Sequence, residues 1–240
     1  MPAQNAQPAS AAQKTELAAI AHLRLYPSLT NPSYLVLRSR RLLFSNWTRT
    51  LGNNLTVLDV GGRYQPYRPL LAPSLARYVA IDLIKTELTS VLADGAALPF
   101  AAASFDLVLA TQVLDCIPDP KTAIHQIHLV LKPGGVFLAS APGFAPGFAD
   151  TEQWRFTRTG LRTLLSPFSR VEIVPELSSV GSVFRTLNLA GDAFVRYNLA
   201  RTVYRHTACP ILNLLGLGFE TLHLTTNDQF AANYSILATK

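Results

Sequence analysis

Apolar and polar positions along the middle of the chain follow a pattern that predicts strands separated by helices. Short apolar segments predict buried strands over residues 57–62, 77–83, 89–93, 104–110, 136–140, 170–174 and 233–239. Amphipathic segments predict helices over residues 66–71, 120–131 and 157–165. Because strands that alternate with helices at this spacing form parallel sheets, the pattern predicts an α/β fold with a doubly wound sheet.

The segments outside this pattern predict additional helices around a single domain. A chain of 240 residues favours one domain. Helical periodicity covers residues 14–25 and 33–51, and it returns around 182–205 and 211–220, in a stretch too long for a plain connection between two strands. We therefore predict a disordered tail over 1–13, a helical cap over 14–52, a core over 53–174 and 233–240, and a helical lid insertion over 175–232.

Composition and charge narrow the possible partners. Hydrophobic residues make up 49% of the chain and charged residues 15%, so a well-buried globular protein is expected. The net charge of +6 is spread out, and no basic block is longer than Arg40-Arg41, which makes nucleic-acid binding unlikely. No apolar run reaches the length of a membrane span, and the start of the chain lacks the pattern of a secretory signal. Cys116 and Cys209 predict no disulfide, and a cytoplasmic protein is expected.

The glycine pair Gly61-Gly62 predicts a ligand-binding turn directly after the first strand. Glycine lets the backbone approach a ligand closely, and ligands of open parallel sheets bind beyond the carboxyl ends of the strands. Asp82 lies at the end of the second predicted strand, about 20 residues after the glycine turn, where a carboxylate can meet the ribose hydroxyls of a nucleotide. The sequence therefore predicts a nucleotide-type cofactor at this edge of the sheet.

Six short blocks, in this order, resemble the class I S-adenosylmethionine-dependent methyltransferases, and specifically the type 11 methyltransferase domain. The blocks are V-L-D-V-G-G, A-I-D-L, A-D-G-A-A-L-P-F, S-F-D-L-V-L-A-T-Q-V-L, L-K-P-G-G and W-R-F-T-x-x-G-L. They lie between about residues 55 and 165. The resemblance implies a Rossmann-like sheet of seven strands, mostly parallel with an antiparallel last strand, and S-adenosylmethionine as the cofactor.

The resemblance also implies which residues bind the cofactor. Asp59, Gly61 and Gly62 look like the motif that contacts its methionine part. Asp82, beside Leu83, looks like the acidic residue that binds the ribose. The adenine would be recognised by Asp94, Gly95 and Ala96, and the sulfonium would face Thr111 and Gln112.

The chain departs from the family pattern at two places. Arg63 and Gln65 occupy positions two and four residues after the first glycine, where the family usually has further glycines. The family's common L-E-H after the fourth strand is Leu114-Asp115-Cys116 here. This change removes a histidine sometimes placed near the site, so the sequence identifies no catalytic residue.

Acceptor-binding residues are harder to predict. Trp154, Arg155 and His206 are candidates for lining a substrate, although Arg155 could equally pack in a corner against a carboxylate. The apolar insertion suits a small or amphipathic acceptor, such as a secondary metabolite, a lipid-linked glycan or a quinone-type precursor, and would permit contact with a membrane surface. His125 and His128 lack further ligands nearby, so no metal site is predicted.

Other functions remain open at this point. Methylation of RNA or protein and cofactor binding without catalysis are the alternatives within the family. A nicotinamide-dependent dehydrogenase is the remaining fold-level alternative, but the turn lacks the third glycine of a dinucleotide-binding motif. The sequence does not predict the oligomeric state.

Overall fold

The computed structural model describes residues 11–144, 146–147, 150–222 and 227–240. The seven strands are β1 Leu55–Val60, β2 Leu75–Asp82, β3 Val91–Leu92, β4 Phe105–Thr111, β5 Leu131–Pro142, β6 Arg170–Pro175 and β7 Asn233–Thr239. The helices are α1 Ala11–Leu25, α2 Tyr34–Thr48, α3 Arg68–Leu71, α4 Pro120–Val130, α5 Arg158–Leu164, α6 Ser179–Phe194, α7 Asn198–His206 and α8 Ala208–Thr221. A single 3-10 turn, Ala72–Ser74, separates α3 from β2.

The strands form one sheet in the order β3-β2-β1-β4-β5-β7-β6. The pairs among β1 to β5 are parallel, whereas β7 runs antiparallel to both of its neighbours. The predicted seven-stranded, mostly parallel sheet with an antiparallel last strand is therefore confirmed. The strand order reverses between β1 and β4, which places the carboxyl ends of β1, β2, β3 and β4 along one edge.

Most predicted strands differ from the observed ones at their ends, and two of these differences have a local cause. The third strand has only two residues, because the hydroxyls of Thr86 and Thr89 hydrogen-bond to each other and hold the preceding residues in a turn. The fifth strand begins at Leu131, which the sequence analysis assigned to the preceding helix. Leu131 is extended because it pairs with Phe105 across an irregularity in the ladder between β4 and β5.

The sheet is covered on both faces, as the alternation of its side chains requires. Along β4, Val108 and Ala110 face one cluster of apolar residues, while Leu107 and Leu109 face the other. The first cluster includes residues of α4 and α5, and the second includes Leu25 of α1, Phe44 of α2 and Leu71 of α3. Continuous apolar strands are expected of a sheet that is buried on both faces.

The N-terminal helices and the insertion pack on each other. α2 contacts α6 and α8, and a third apolar cluster joins Leu35 and Val36 of α2 to Leu177 and Ala232. The amide nitrogen of Asn213 on α8 donates to the carbonyls of Leu29, at 2.8 Å, and Asn31, at 3.0 Å. The insertion contains three helices where the periodicity predicted two, because residues 195–197 and 207 interrupt the helical run.

The predicted disordered tail over 1–13 is wrong for its last three residues. α1 begins at Ala11, so residues 11–13 are helical, and residues 1–10 lie outside the described part of the chain. The division of the chain into cap, core and lid stays a prediction. Within the described residues, no helix is long and apolar enough to cross a bilayer.

Candidate functional site

The turn after β1 is tightly packed around its two glycines. The amides of Gly61 and Gly62 both donate to the carbonyl of Ile81 at 2.9 Å, which fixes this turn against the end of β2. Gly61 has a φ of +76°, and a Cβ there would lie 2.8 Å from Cγ2 of Val113. A Cβ on Gly62 would lie 2.7 Å from Cγ of Asp59. Only glycine fits either position without displacing its neighbours.

Asp59 is buried beneath this turn with one hydrogen-bonding partner from β2. The hydroxyl of Tyr78 donates to Oδ2 of Asp59 at 2.6 Å. Burial raises the pKa of Asp59 to about 7, and the nearby Asp82 carboxylate adds to the rise, although the Tyr78 hydrogen bond opposes it. Asp59 is therefore poised to change its charge near neutral pH.

Gln65 occupies the turn in a conformation that glycine usually adopts. Its φ is +51°, in the left-handed region that costs an ordinary residue roughly 1–2 kcal/mol. Two side-chain hydrogen bonds offset this cost, because Nε2 of Gln65 donates to the Leu88 carbonyl at 2.7 Å and Arg68 donates to Oε1 at 2.9 Å. The buried Gln65 side chain thus ties the turn after β1 to the loop between β2 and β3. Arg63, the other departure, places its guanidinium 5.0 Å from the ring centre of Tyr64.

The predicted ribose and adenine residues lie at the ends of the next two strands. Oδ1 of Asp82 accepts from the amide of Ile84 at 2.9 Å, and the neighbouring Leu83 side chain is exposed. Oδ1 of Asp94 accepts from the amide of Ala96 at 2.9 Å. Gly95 is buried, and a Cβ there would lie 2.9 Å from Cδ1 of Ile117. These contacts hold both turns while leaving Asp82 and Asp94 a second carboxylate oxygen each.

The turn after β4 completes the edge of the sheet. β4 ends at Thr111, and Gln112 follows with a φ of +52°. The amide of Gln112 donates to the carbonyl of Ser140 at 2.9 Å, and its side chain hydrogen-bonds to that of Asn233 at 3.0 Å. Gln112 thus joins the ends of β4 and β5 to the start of β7.

The three candidate substrate residues lie in two different places. Trp154 packs beside the turn after β4, where its indole Nε1 donates to the carbonyl of Ile117 at 2.9 Å. Arg155 forms an ion pair with Glu152 at 2.6 Å, as expected of a corner residue packed against a carboxylate. His206 is exposed at the end of α7, and its Nδ1 lies 2.8 Å from the Thr202 carbonyl. The helix that carries His206, α7, packs against α6 and α8, whereas the predicted cofactor residues lie at the ends of β1 to β4.

Comparison with known proteins finds a family model that matches the middle of the chain. Residues 58–139 match a family model described as a methyltransferase domain. This span includes the turns after β1, β2, β3 and β4. Over these residues the chain is similar to the methyltransferase domain family.

Two relatives match this chain over only part of their own length. The human arginine-hydroxylase NDUFAF5, described as mitochondrial, is 46% identical over 111 residues, which cover 43% of this chain and 31% of the relative. An uncharacterized methyltransferase of Mycobacterium sp. (strain JLS) is 31% identical over 103 residues, 39% of this chain and 41% of that protein. The chain therefore spans less than half the length of either relative.

A solved structure shares the fold. Phosphoethanolamine N-methyltransferase 2 of Haemonchus contortus, in complex with S-adenosyl-L-methionine, superposes with a TM-score of 0.54 and 14% sequence identity. The superposition covers 83% of this chain and 51% of that protein. At this level of identity the comparison shows a shared architecture.

A buried polar cluster lies beside the turn after β4. The sequence analysis did not identify this cluster. Nε and Nη2 of Arg40 donate to the two carboxylate oxygens of Glu176 at 2.7 and 2.9 Å, and Ser235 donates to the same carboxylate at 2.9 Å. Burial alone would lower the pKa of Arg40, but the Glu176 carboxylate raises it above its ordinary value. Arg185 of α6 is also buried, and desolvation lowers its pKa to about 10. The cluster lies where β6 ends and β7 begins, on the side of the sheet edge away from β3.

Asp115 also had no role in the sequence analysis. It lies in the turn after β4 and is buried, and no hydrogen bond within the described residues reaches its Oδ1. Burial raises its pKa, and the Glu152 carboxylate contributes in the same direction. The sequence signal was its position in Leu114-Asp115-Cys116, where the family commonly has a glutamate.

Within the described residues, no group of three or more His, Cys, Asp or Glu side chains could hold a metal ion. The two cysteines form no disulfide with each other.

The raised pKa of Asp59 predicts a pH dependence of cofactor binding. The cofactor's methionine part carries an ammonium group, so the ionised carboxyl should favour binding. Between pH 7 and 5, affinity for S-adenosylhomocysteine should fall by up to about tenfold per pH unit, because the Asp59 carboxylate takes up a proton. Calorimetric titration across this range measures the effect.

Asp59→Asn is the matched control for this dependence. The variant should bind weakly at every pH and lose the slope, since Asn cannot titrate. An equal slope in the variant and in the unmodified protein would show that another group is responsible. Without cofactor, the stability of the fold should depend on pH in the opposite direction. Because Asp59 is protonated in the folded state and ionised in the unfolded state over this range, the free energy of unfolding should fall as pH rises from about 4 to 7.

Proposed function

We propose that this protein transfers a methyl group from S-adenosylmethionine to a small or amphipathic acceptor. The observation that carries the proposal is the convergence of four polar turns at one edge of the sheet. Asp59 lies next to the end of β1, Asp82 is the last residue of β2, Asp94 follows β3, and Gln112 follows β4. A nucleoside joined to an amino acid needs such a row of contacts along its length.

Each turn would hold a different part of the cofactor. The glycine turn above Asp59 would receive the methionine part, because the absence of Cβ atoms lets a ligand approach its backbone. Asp82 would accept hydrogen bonds from the ribose hydroxyls through Oδ2, while the exposed Leu83 offers an apolar surface for the base. Asp94 and the amides of the following turn would recognise the adenine edge.

The reaction itself requires positioning more than chemical assistance. The bond between the sulfonium sulfur and the methyl carbon breaks as the acceptor atom, held about 3 Å away, forms its bond to carbon. S-Adenosylhomocysteine leaves. A hydroxyl acceptor must also lose its proton, and an ammonium group must lose one before its nitrogen can attack. Asp115 is our candidate base, because it is buried beside the turn after β4 with a raised pKa and an oxygen that accepts no hydrogen bond from the described residues.

Cofactor binding provides the first test. Wild-type protein should bind S-adenosylhomocysteine in the micromolar range, and Asp82→Asn should bind at least about tenfold more weakly, because a charge-assisted hydrogen bond to ribose contributes roughly 1.5–3 kcal/mol. Isothermal titration calorimetry measures both. Glu172→Gln, a carboxylate removed from the exposed side of β6, should bind like the wild type. Absence of binding by the wild type would refute the proposal.

Catalysis needs a separate measurement, because binding alone also fits a non-catalytic protein. Production of S-adenosylhomocysteine in the presence of candidate acceptors would establish transfer. The human relative is described as an arginine hydroxylase, so peptide arginine belongs in the acceptor panel beside small amphipathic molecules. Salt-dependent retention of RNA would favour the macromolecular alternative. The cytoplasmic location stays a prediction.

A further inference from the structure

The insertion helices α6 and α8 have their polarity reversed relative to ordinary surface helices. On α6 the side chains that face the protein include Ser182, Arg185 and Asn188, all buried. The opposite side carries Val183, Leu187 and Phe194, which are exposed. A surface helix of a water-soluble protein normally turns its apolar stripe inward. α6 turns it outward.

α8 repeats this arrangement beside α6. Its buried residues are Cys209, Asn213 and Gly216, whereas Ile211, Leu214 and Leu215 are exposed. The two helices pack side by side, and their buried faces meet through a hydrogen bond at 3.0 Å from the Asn188 amide to Asn213. Polar side chains that hydrogen-bond between helices, with apolar ones facing outward, are the pattern found in a lipid environment.

Helices α6, α7 and α8 form one layer, which we call the helical layer. The turn between α6 and α7 is its most apolar exposed part. Phe194, Tyr197 and Leu199, which we call the tip, are 83%, 78% and 78% exposed. Three large apolar side chains within six positions exceed the scattered exposed residues of a normal surface. Arg196 lies among them and is also exposed.

The charges of this layer favour an anionic surface. The carboxylate of Asp192 is held by Arg205, and that of Glu220 accepts hydrogen bonds from Ser178. Across described residues 179–222, both carboxylate side chains are half-buried, while Arg196 and Arg205 are exposed. A second copy docked through the same surface would bring like charges together without exposed carboxylates to meet them.

The length of the helices limits how this layer can meet lipid. α6 has 16 residues and α8 has 14, and a helix needs about 20 to span a bilayer. The reversed polarity therefore suits helices that lie in the interface with their apolar side in the lipid. Residues 1–10 carry no large apolar side chain except Met1, which makes them a poor cover for this surface.

We propose that the outer side of α6 and α8, together with the tip, docks on the surface of a bilayer that contains anionic lipid. The tip enters the boundary between headgroups and acyl chains, and Arg196 contacts anionic headgroups. Docking does not depend on methyl transfer, so it can be tested on the full-length protein without an acceptor.

Vesicle co-sedimentation tests the proposal. Wild-type protein should sediment with vesicles of phosphatidylcholine that contain about one quarter phosphatidylglycerol, and less with pure phosphatidylcholine. The double variant Phe194→Ser/Leu199→Ser should bind at least about tenfold more weakly. Arg196→Ser should lose about fivefold on the anionic vesicles and change little on the neutral ones.

A matched pair of exposed leucines outside this layer provides the control. Leu23→Ser/Leu129→Ser removes two leucines of 53% and 42% exposure from α1 and α4, and it should bind vesicles like the wild type. Thermal unfolding by circular dichroism confirms that each variant folds. Failure of the wild type to bind vesicles would overturn the proposal, and so would equal binding by the tip variant. If the wild type formed a dimer and did not bind vesicles, and the tip variant were a monomer, the surface would instead be an interface with a second copy.

Discussion

Glu176→Gln is expected to lower the free energy of unfolding by about 3–5 kcal/mol, the largest stability change that we predict for this protein. Glu176 is fully enclosed, and both of its oxygens accept from Arg40. Glutamine keeps the shape of the side chain but removes its charge, which leaves the Arg40 guanidinium buried without a counter-charge. Urea denaturation followed by circular dichroism measures the loss.

The control is removal of both charges together. Arg40→Leu/Glu176→Leu leaves no buried ion behind, so it should lose much less stability than the single variant. Ser235→Ala removes one of the carboxylate's hydrogen bonds and should cost about 1 kcal/mol. If Glu176→Gln changed stability by less than about 1 kcal/mol, the ion pair would not be what joins α2 to the end of β6.

Gly61→Ala is expected to reduce affinity for S-adenosylhomocysteine by about 100-fold or more, the largest binding effect that we predict. The substitution adds a Cβ 2.8 Å from Val113, in a turn whose φ of +76° already disfavours alanine. The turn must move away from Val113, which displaces the backbone that would meet the methionine part of the cofactor; a 100-fold loss corresponds to about 2.8 kcal/mol of binding free energy. Calorimetric titration of the folded variant measures the loss.

Gly134→Ala separates this effect from backbone strain. Gly134 has nearly the same φ, +75°, but no atom lies within 4 Å of the position of its Cβ. It lies in the turn where β5 begins, at the edge of the sheet opposite the proposed cofactor site. The variant should be destabilised by about 1–2 kcal/mol yet bind the cofactor normally. Equal binding losses in both variants would mean that the Gly61 contact with Val113 is irrelevant.

Local patterns predicted the sheet well because each strand is encoded within its own residues. The predicted boundaries of β7 match those observed, and the other predicted strands differ from the observed ones mainly at their ends. The third strand was overestimated because the threonines that shorten it act through side-chain hydrogen bonds, which hydropathy does not register. The antiparallel orientation of the last strand followed from the family resemblance rather than from the apolar pattern, and the order of the strands required the structure.

The buried polar residues could not be predicted in the same way. Arg40 follows Val36 and precedes Phe44 by one helical turn each, which places it on the buried face of α2. Its partner Glu176 is 136 positions away in the chain, and the pairing exists only in the folded state. Gln65 was recognised as a departure from the family's glycine, but its compensating hydrogen bonds to another loop required the structure.

The separation between Arg40 and Glu176 also bears on how the chain is made. At a synthesis rate of about 5–20 residues per second, Arg40 leaves the ribosome roughly 7–30 seconds before its partner. Strands β1 to β5 and the turns that follow them are complete during that interval, so they can assemble while the Arg40 guanidinium on α2 is still unpaired and solvated by water. The arginine would thereby keep α2 from docking permanently until the last strands have been translated.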